Sequence, residues 1–307
     1  MMGNPGIFLT GATGYIGSYV VDELVRRGIP ITALVRREVQ FPGCRTVVGD
    51  LADVERFAQE ISAAGGIVHM GSSRSLDRGT VARIDINGTS RLIDHWRAGP
   101  FVYLSTTTIH GRPQGPLNEA SPIAPSCWYD MGKYACEIAL AEATVASKKG
   151  RGPAISLRPA LIFSTNARRH DNQFIGSLFR HCAQGHVAVF DSEEALETYG
   201  ASYIGGADFG RAVADTLAIK APGPLTLADD FQTWKSWIET YHKYAGTRPN
   251  IVVRPGIEAG PGEWRPLHSR TALDSSAFTK RTSFKPRQSF EELVREFVER
   301  DRADGLL

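Results

Sequence analysis

No stretch of the 307-residue chain holds the roughly 18 consecutive apolar residues that a membrane-spanning helix needs. The opening MMGNPGIFLT has no basic stretch ahead of a long apolar run, so no secretory leader is expected and a cytoplasmic protein is the simplest reading. Cysteine is scarce. Cys44, Cys127, Cys136 and Cys182 lack the paired spacing of a metal site or disulfide framework, which fits reduced thiols. None of the eight histidines falls in a His-Glu-x-x-His run, and RHCAQGH around His181 reads as surface, so no metal is expected. An excess of charge is also missing. The formal balance of +2 gives no reason to expect nucleic acid or an anionic membrane as partner. Internal repeats and low-complexity tracts are absent. With 42% hydrophobic and 22% charged residues the chain is too apolar for disorder, and it is long enough for one large α/β domain or a domain with a lobe.

What is present is a rhythm. Short apolar runs (GIFLT, PITALV, RTVVGD, GGIVHM, PFVYLST, AISLRPALIF) alternate with periodic stretches over Tyr15–Arg27, Asp53–Ala63, Thr80–Arg97 and Tyr129–Ser147. Continuous apolar strands alternating with helices predict a doubly wound parallel α/β sheet covered on both faces. After about Ser164 the rhythm breaks. NARRHDNQFIGSLFRHCAQGHVAVF reads as loop, helix and short strand, and GGADFGRAVADTLAI as a further helix of the first domain. SFEELVREFVER is a closing helix with Ser289 as its N-cap. The expected division is a dinucleotide-binding domain over 1–164 plus 200–221 and a smaller, discontinuous lobe over 165–199 plus 222–307.

IFLTGATGYIGSYVVDELVRRG carries the strongest local signal. A strand runs into Gly11, Gly14 and Gly17 and a helix follows. Such glycines permit a tight turn, let backbone approach a pyrophosphate and allow close helix–strand packing, while the helix N-terminus offers N–H donors. About 20 residues further on, where an NAD site offers an acid to the ribose 2′-OH, the chain has TALVRRE. Arg36 and Arg37 would fork onto a 2′-phosphate, so NADP(H) is favoured, with NAD as the alternative. In VVGDLAD, Asp50 at a strand end would reach the adenine amino group.

PSCWYDMGKYACE sets Tyr129 four residues before Lys133, on one helical face with Cβ atoms roughly 5–6 Å apart. Alone, such a pair is common. In the company of the motifs above, the chain resembles the extended short-chain dehydrogenase/reductase family, the nucleotide-sugar epimerase/dehydratase group, over nearly its whole length. TGATGYIG matches the family's glycine motif, GDLAD its adenine-side motif and GGIVHMGSS its fourth strand. YLSTTTIHG resembles the active-site Ser/Thr strand and YDMGK the tyrosine–lysine motif. LRPALIF, SYIGGADFGRAVADTL and the C-terminal RPLHSRTALDSSAFTKRTSFKPRQSFEEL follow in family order.

The resemblance implies Thr106, Tyr129 and Lys133 as catalytic residues, Thr106 by counting back from Gly111. It implies Gly11, Thr13, Gly14, Tyr15, Ile16, Gly17, Asp50, Leu51, Gly71 and Lys133 as cofactor contacts. It also implies a homodimer joined through the Thr80–Arg97 and Tyr129–Ser147 helices. Hydride transfer to a carbonyl builds charge on oxygen that must be protonated, and Tyr129 would shuttle that proton. Lowering a tyrosine pKa from about 10 to about 7 takes roughly 4 kcal/mol. A unit charge 4 Å away supplies about that much at an effective dielectric near 20, so Lys133 is expected to acidify the phenol, helped by an oxidised nicotinamide. Lys133 would also hold the nicotinamide ribose, and Thr106 would polarise the substrate oxygen.

Departures narrow the reading. Asp85 stands where the family has an asparagine three residues before the glycine of NGT, and an ionised carboxylate accepts hydrogen bonds but donates none. TTTIHG lacks the Asp-Glu of 4,6-dehydratases, His110 replaces a common tyrosine, and Leu161 stands where epimerases often carry a substrate-binding asparagine. Arg168, Arg169, Arg180, Arg211 and Arg265 are candidates for a diphosphate, though solvated arginines are the commoner case. Trp128, Trp234, Trp237 and Trp264 would stack on a ring or, more commonly, pack in the core. The resulting expectation is an NADP(H)-dependent oxidoreductase reducing a keto group on a nucleotide-linked sugar or similar polar metabolite. A nucleotide-sugar epimerase with retained cofactor and a non-catalytic NADP(H)-sensing module are the alternatives.

Overall fold

The computed structural model describes residues 5–111, 115–146, 151–163, 174–256, 258–267 and 269–307. The strands are β1 (Ile7–Thr10), β2 (Ile31–Val35), β3 (Cys44–Val48), β4 (Gly66–His69), β5 (Gly99–Leu104), β6 (Arg151–Pro159) and β7 (Leu161–Phe163). They continue with β8 (Val187–Phe190), β9 (Gly200–Gly205), β10 (Gly223–Leu227), β11 (Asp230–Thr233), β12 (Ile251–Val253), β13 (Glu263–Trp264) and β14 (Arg270–Thr271). The helices are α1 (Gly17–Arg26), α2 (Ala58–Ala63), α3 (Arg78–Thr80), α4 (Asn87–His95), α5 (Trp128–Val145) and α6 (Phe174–Ala183). After them come α7 (Glu193–Thr198), α8 (Gly206–Thr216), α9 (Trp234–Ala245), α10 (Ser276–Thr282) and α11 (Phe290–Ala303).

Seven parallel strands form the central sheet in the order β3-β2-β1-β4-β5-β6-β10. The chain winds outward from β1 to β3 and then crosses to β4, so the order reverses between β1 and β4. That switch point opens a crevice at the carboxyl ends of the strands. The inner apolar runs are buried on both sides, as in β1, where all four residues are buried, whereas the edge strand β3 has none fully buried. On one face α1 and α8 pack together, with Val20, Val21 and Leu24 against Phe209, Ala212 and Val213 in one core. The other face is covered by α4 and α5, whose Leu92, Ile93, Cys136 and Leu140 meet Phe101 and Tyr103 of β5.

A second core lies among α6, α9 and α11, where Phe163, Phe179, Trp237, Tyr241 and Phe297 interlock; the Phe179 and Tyr241 rings stack at 4.7 Å. Trp234, Trp237 and Trp264 are buried, so packing is what they do, whereas Trp128 is 41% exposed. α11 opens as the sequence predicts: the Ser289 side chain accepts from the Glu292 N–H, and the Glu292 side chain reaches back in a capping box.

Two features depart from the sequence reading. AISLRPALIF is two strands, because after Pro159 the chain leaves the central sheet and β7 pairs with β9 in a sheet that also contains β11 and β14. The expected division at residue 221 also falls one strand early, since β10 returns to the central sheet beside β6, and α10 contributes Phe278 to the same core. No helix among the described residues is long and apolar enough to cross a membrane.

Candidate active site

A cleft of about 1280 Å³ lies over the switch point and extends from β1–β4 to β7 and the Pro266–Leu267 segment. At one end the β1–α1 turn is shaped by glycine. Gly11 has φ +84°, and a Cβ there would sit 2.8 Å from the Gly71 nitrogen. At Gly17 a Cβ would run into the carbonyl oxygens of Gly11 and Ala12, so α1 can begin this close to the turn only without a side chain. Ile16 at the N-cap makes no side-chain cap and the first turn holds no acid, so an anion there meets neither a competing cap nor a like charge. Thr13, Gly14, Tyr15 and Ile16 line the cleft, while Gly17 supports them from below.

Arg36, just past β2, lines the cleft; Arg37 is exposed and does not. Asp50 and Leu51 line it as well, and Asp50 Oδ1 accepts from the Ala52 N–H at 2.9 Å, capping its own turn. The Gly71 N–H donates to Thr10 Oγ1 at 3.0 Å, tying the ends of β4 and β1 together. A dinucleotide would fit this donor set, with the N-terminus of α1, Arg36 and the Asp50–Leu51 turn all lining one end of the cleft.

At the other end, Thr106 follows β5 while Tyr129 and Lys133 stand on the first turns of α5. All three line the cleft. Lys133 is buried and its ammonium donates to the Leu104 carbonyl at 2.7 Å, 5.0 Å from the Tyr103 ring centroid and 5.8 Å from that of Tyr129. Burial lowers the Lys133 pKa.

The phenol behaves contrary to the expectation of acidification. Tyr129 is pushed up to about 12, first by burial and then by the nearby Asp130 and Asp85 carboxylates; the cation that most opposes the rise is Arg74. In the protein alone, then, burial favours the protonated phenol at neutral pH.

Thr106 belongs to a directed chain of hydrogen bonds. The Thr108 hydroxyl donates to Asp130 Oδ1, and Asp130 Oδ2 accepts from the Ser126 N–H and hydroxyl at 3.4 and 3.3 Å. Thr106 and Thr108 hydroxyls lie 2.9 Å apart. Since Thr108 has given its one proton to Asp130, the Thr106 proton makes that bond. Thr106 Oγ1 also accepts from the Thr108 N–H at 3.2 Å, which leaves a lone pair rather than a proton for the cleft. Asp85 is a clamp: it accepts from the Ser73 N–H at 2.8 Å and from the Ser73 hydroxyl, fixing the loop after β4. This is acceptor-only work of the kind a carboxylate in place of the amide allows.

Other candidates lie elsewhere. Arg211 pairs with Asp208, Arg265 pairs with Asp191, Arg180 has a partner, and none of the three lines the cleft. Arg168 and Arg169 fall outside the described residues. His110 Nδ1 lies 2.8 Å from the Pro122 carbonyl and the residue does not line the cleft, so it is a packed substitution. His181 stacks on Trp264 and faces His186. Sequence reasoning missed Arg74, Thr108 and Asp130. Asp130 was within reach as the residue between Tyr129 and Lys133 that turns inward, whereas nothing periodic marks Arg74.

Fold and site together define a Rossmann-type dinucleotide-binding protein with a tyrosine–lysine pair at the switch point. Residues 7–201 match the NAD dependent epimerase/dehydratase family, and the chain belongs to that family of enzymes. It is 27% identical over 174 residues to the 2-alkyl-3-oxoalkanoate reductase of Shewanella oneidensis, covering 52% of this chain and 45% of that protein. It is 28% identical over 159 residues to a UDP-glucose 4-epimerase of Azospirillum brasilense, covering 47% and 46%. The chain thus spans about half the length of the curated relatives it matches. Among solved structures, the UDP-glucose 4-epimerase of Thermotoga maritima with UDP-glucose superposes with a TM-score of 0.78 at 18% identity, covering 97% of this chain and 99% of that one. At such identity the likeness is one of fold.

Proposed function

We propose that the chain is an NADP(H)-dependent oxidoreductase that reduces a carbonyl group, with Tyr129 as the proton donor. The observation that carries this reading is the placement of Tyr129 in a dinucleotide-sized cleft one helical turn from the buried Lys133. Bound NADPH would supply the hydride. Gly11, Gly14 and Gly17 shape the diphosphate turn, Arg36 takes the 2′-phosphate, and Lys133 retains ammonium protons for the ribose beyond the one given to Leu104. Tyr129 gives its proton to the oxygen as charge builds there, then regains one from solvent. Names of relatives such as the oxoalkanoate reductase support net reduction.

An epimerase with retained cofactor is the second reading, supported by the fold likeness to sugar-nucleotide epimerases. It would turn over without added coenzyme, whereas a reductase consumes NADPH mole for mole. Replacing Tyr129 by Phe should cut turnover by about 10²–10⁴-fold; full activity in that variant would instead revive a cofactor-sensing role. Arg36→Asp should weaken NADPH far more than NADH in fluorescence titration, and equal losses would rule out the 2′-phosphate assignment. We assign the assembly as a homodimer through α5, whose outward Met131, Ile138 and Val145 recur every seven residues and are 43%, 51% and 89% exposed.

A further inference from the structure

The substrate half of the cleft is built from apolar side chains on fixed backbone. Leu161 and Ile162 of β7 line it from opposite faces of the strand, whose parallel pairing with Tyr203 and Ile204 of β9 sets their register. Opposite them, buried Trp234 donates its indole N–H to the Leu267 carbonyl at 2.9 Å and holds the Pro266–Leu267 segment at the cleft. Leu267 is 49% exposed there, a large apolar surface that a bound molecule would cover.

Among the described lining residues the cations are Arg36, Arg74 and Lys133. Arg36 lies at the ribose end, and Lys133 is engaged with Leu104. Arg74 is therefore the one described cation left for the substrate. Its backbone is held in a left-handed turn at φ +54°, with its N–H on Ser72 Oγ at 3.2 Å and its neighbour Ser73 clamped by Asp85. Its guanidinium has no hydrogen-bond or ion-pair partner among the described residues. It lines the same cleft as Tyr129, and its charge favours the ionised phenol there. One forked guanidinium suits one carboxylate.

We infer that the substrate is an amphiphilic oxo acid, its carboxylate on Arg74, its carbonyl at Tyr129 and its apolar body along β7 and on Pro266 and Leu267. This rests on the reductase reading above. In the step, NADPH gives a hydride to the carbonyl carbon and Tyr129 a proton to the oxygen, leaving a hydroxy acid and NADP⁺.

Calorimetry on the NADP⁺-loaded protein tests the site without turnover, with 3-oxooctanoate, its methyl ester, acetoacetate and UDP-glucose as probes. The oxooctanoate should bind at least about tenfold more tightly than the ester and the short acid, and UDP-glucose should be the weakest. Arg74→Leu should erase the preference for acid over ester and leave NADPH affinity unchanged. Leu267→Asp should erase the preference for the longer chain. Tighter binding of UDP-glucose, an Arg74→Leu loss that falls on NADPH instead, or no binding of the oxo acid overturns the inference. Adding NADPH separates the two claims. An oxo acid that binds but is not reduced removes the reductase reading and leaves the site assignment standing; NADPH-dependent reduction confined to keto-sugar nucleotides does the reverse.

Discussion

A threonine hydroxyl has a single proton, and at Thr106 its direction is decided two residues away. Asp130 draws the Thr108 proton, Thr108 draws the Thr106 proton, and the cleft is left facing a lone pair. Thr108→Val would deprive the buried Asp130 of a donor, which should cost about 1–3 kcal/mol in urea denaturation, while Thr108→Ser should recover most of it. A double-mutant cycle with Asp130→Asn should give a coupling of about 0.5–3 kcal/mol if the three side chains act as one unit. At this scale the sequence points to Tyr129, Lys133 and Thr106 through the family resemblance, and the structure gathers all three at the cleft. The sequence does not show that burial overrides the lysine at Tyr129, because desolvation depends on walls contributed from distant segments. Arg74 is hidden for the same reason, since its place depends on Asp85 gripping the preceding serine.

Elements carry constraints that no single side chain reveals. Gly17→Ala would force α1 away from the carbonyls of Gly11 and Ala12. The expected cost is about 1–3 kcal/mol with a parallel loss of NADPH affinity, read by thermal melting and fluorescence titration. Between β10 and β11, Asp229 is pushed up to about 6 by burial first, with Asp208 and Asp230 adding to it. A carboxyl whose folded pKa is raised contributes its full stability below pH 3.8 and loses it as pH rises through 6. Asp229→Asn should therefore raise the melting temperature at pH 8 and change it little at pH 3.5. The strands and helices of the first half are legible because alternation with continuous apolar runs has few other solutions. The break after Pro159 is not, since both halves of AISLRPALIF are apolar and only pairing partners distinguish them.

Over the whole molecule, α5 serves inside and outside at once, with Lys133 buried inward and Met131, Ile138 and Val145 turned out. Sedimentation at low concentration should show a dimer that Ile138→Glu dissociates; a monomeric native chain would remove this assignment. Glycine turn, Arg36, the tyrosine–lysine pair and the existence of a second lobe could be read from the chain, but that lobe's aromatic core and cleft wall could not, because they come from segments far apart in sequence.

The bond from Lys133 to Leu104 has a consequence for redesign. Its acceptor is main chain, so no exchange of the side chain at 104 can abolish it. The distance between α5 and the end of β5 is thereby insulated from changes of residue there, and that position is open for reshaping the cleft floor while Tyr129 stays in place.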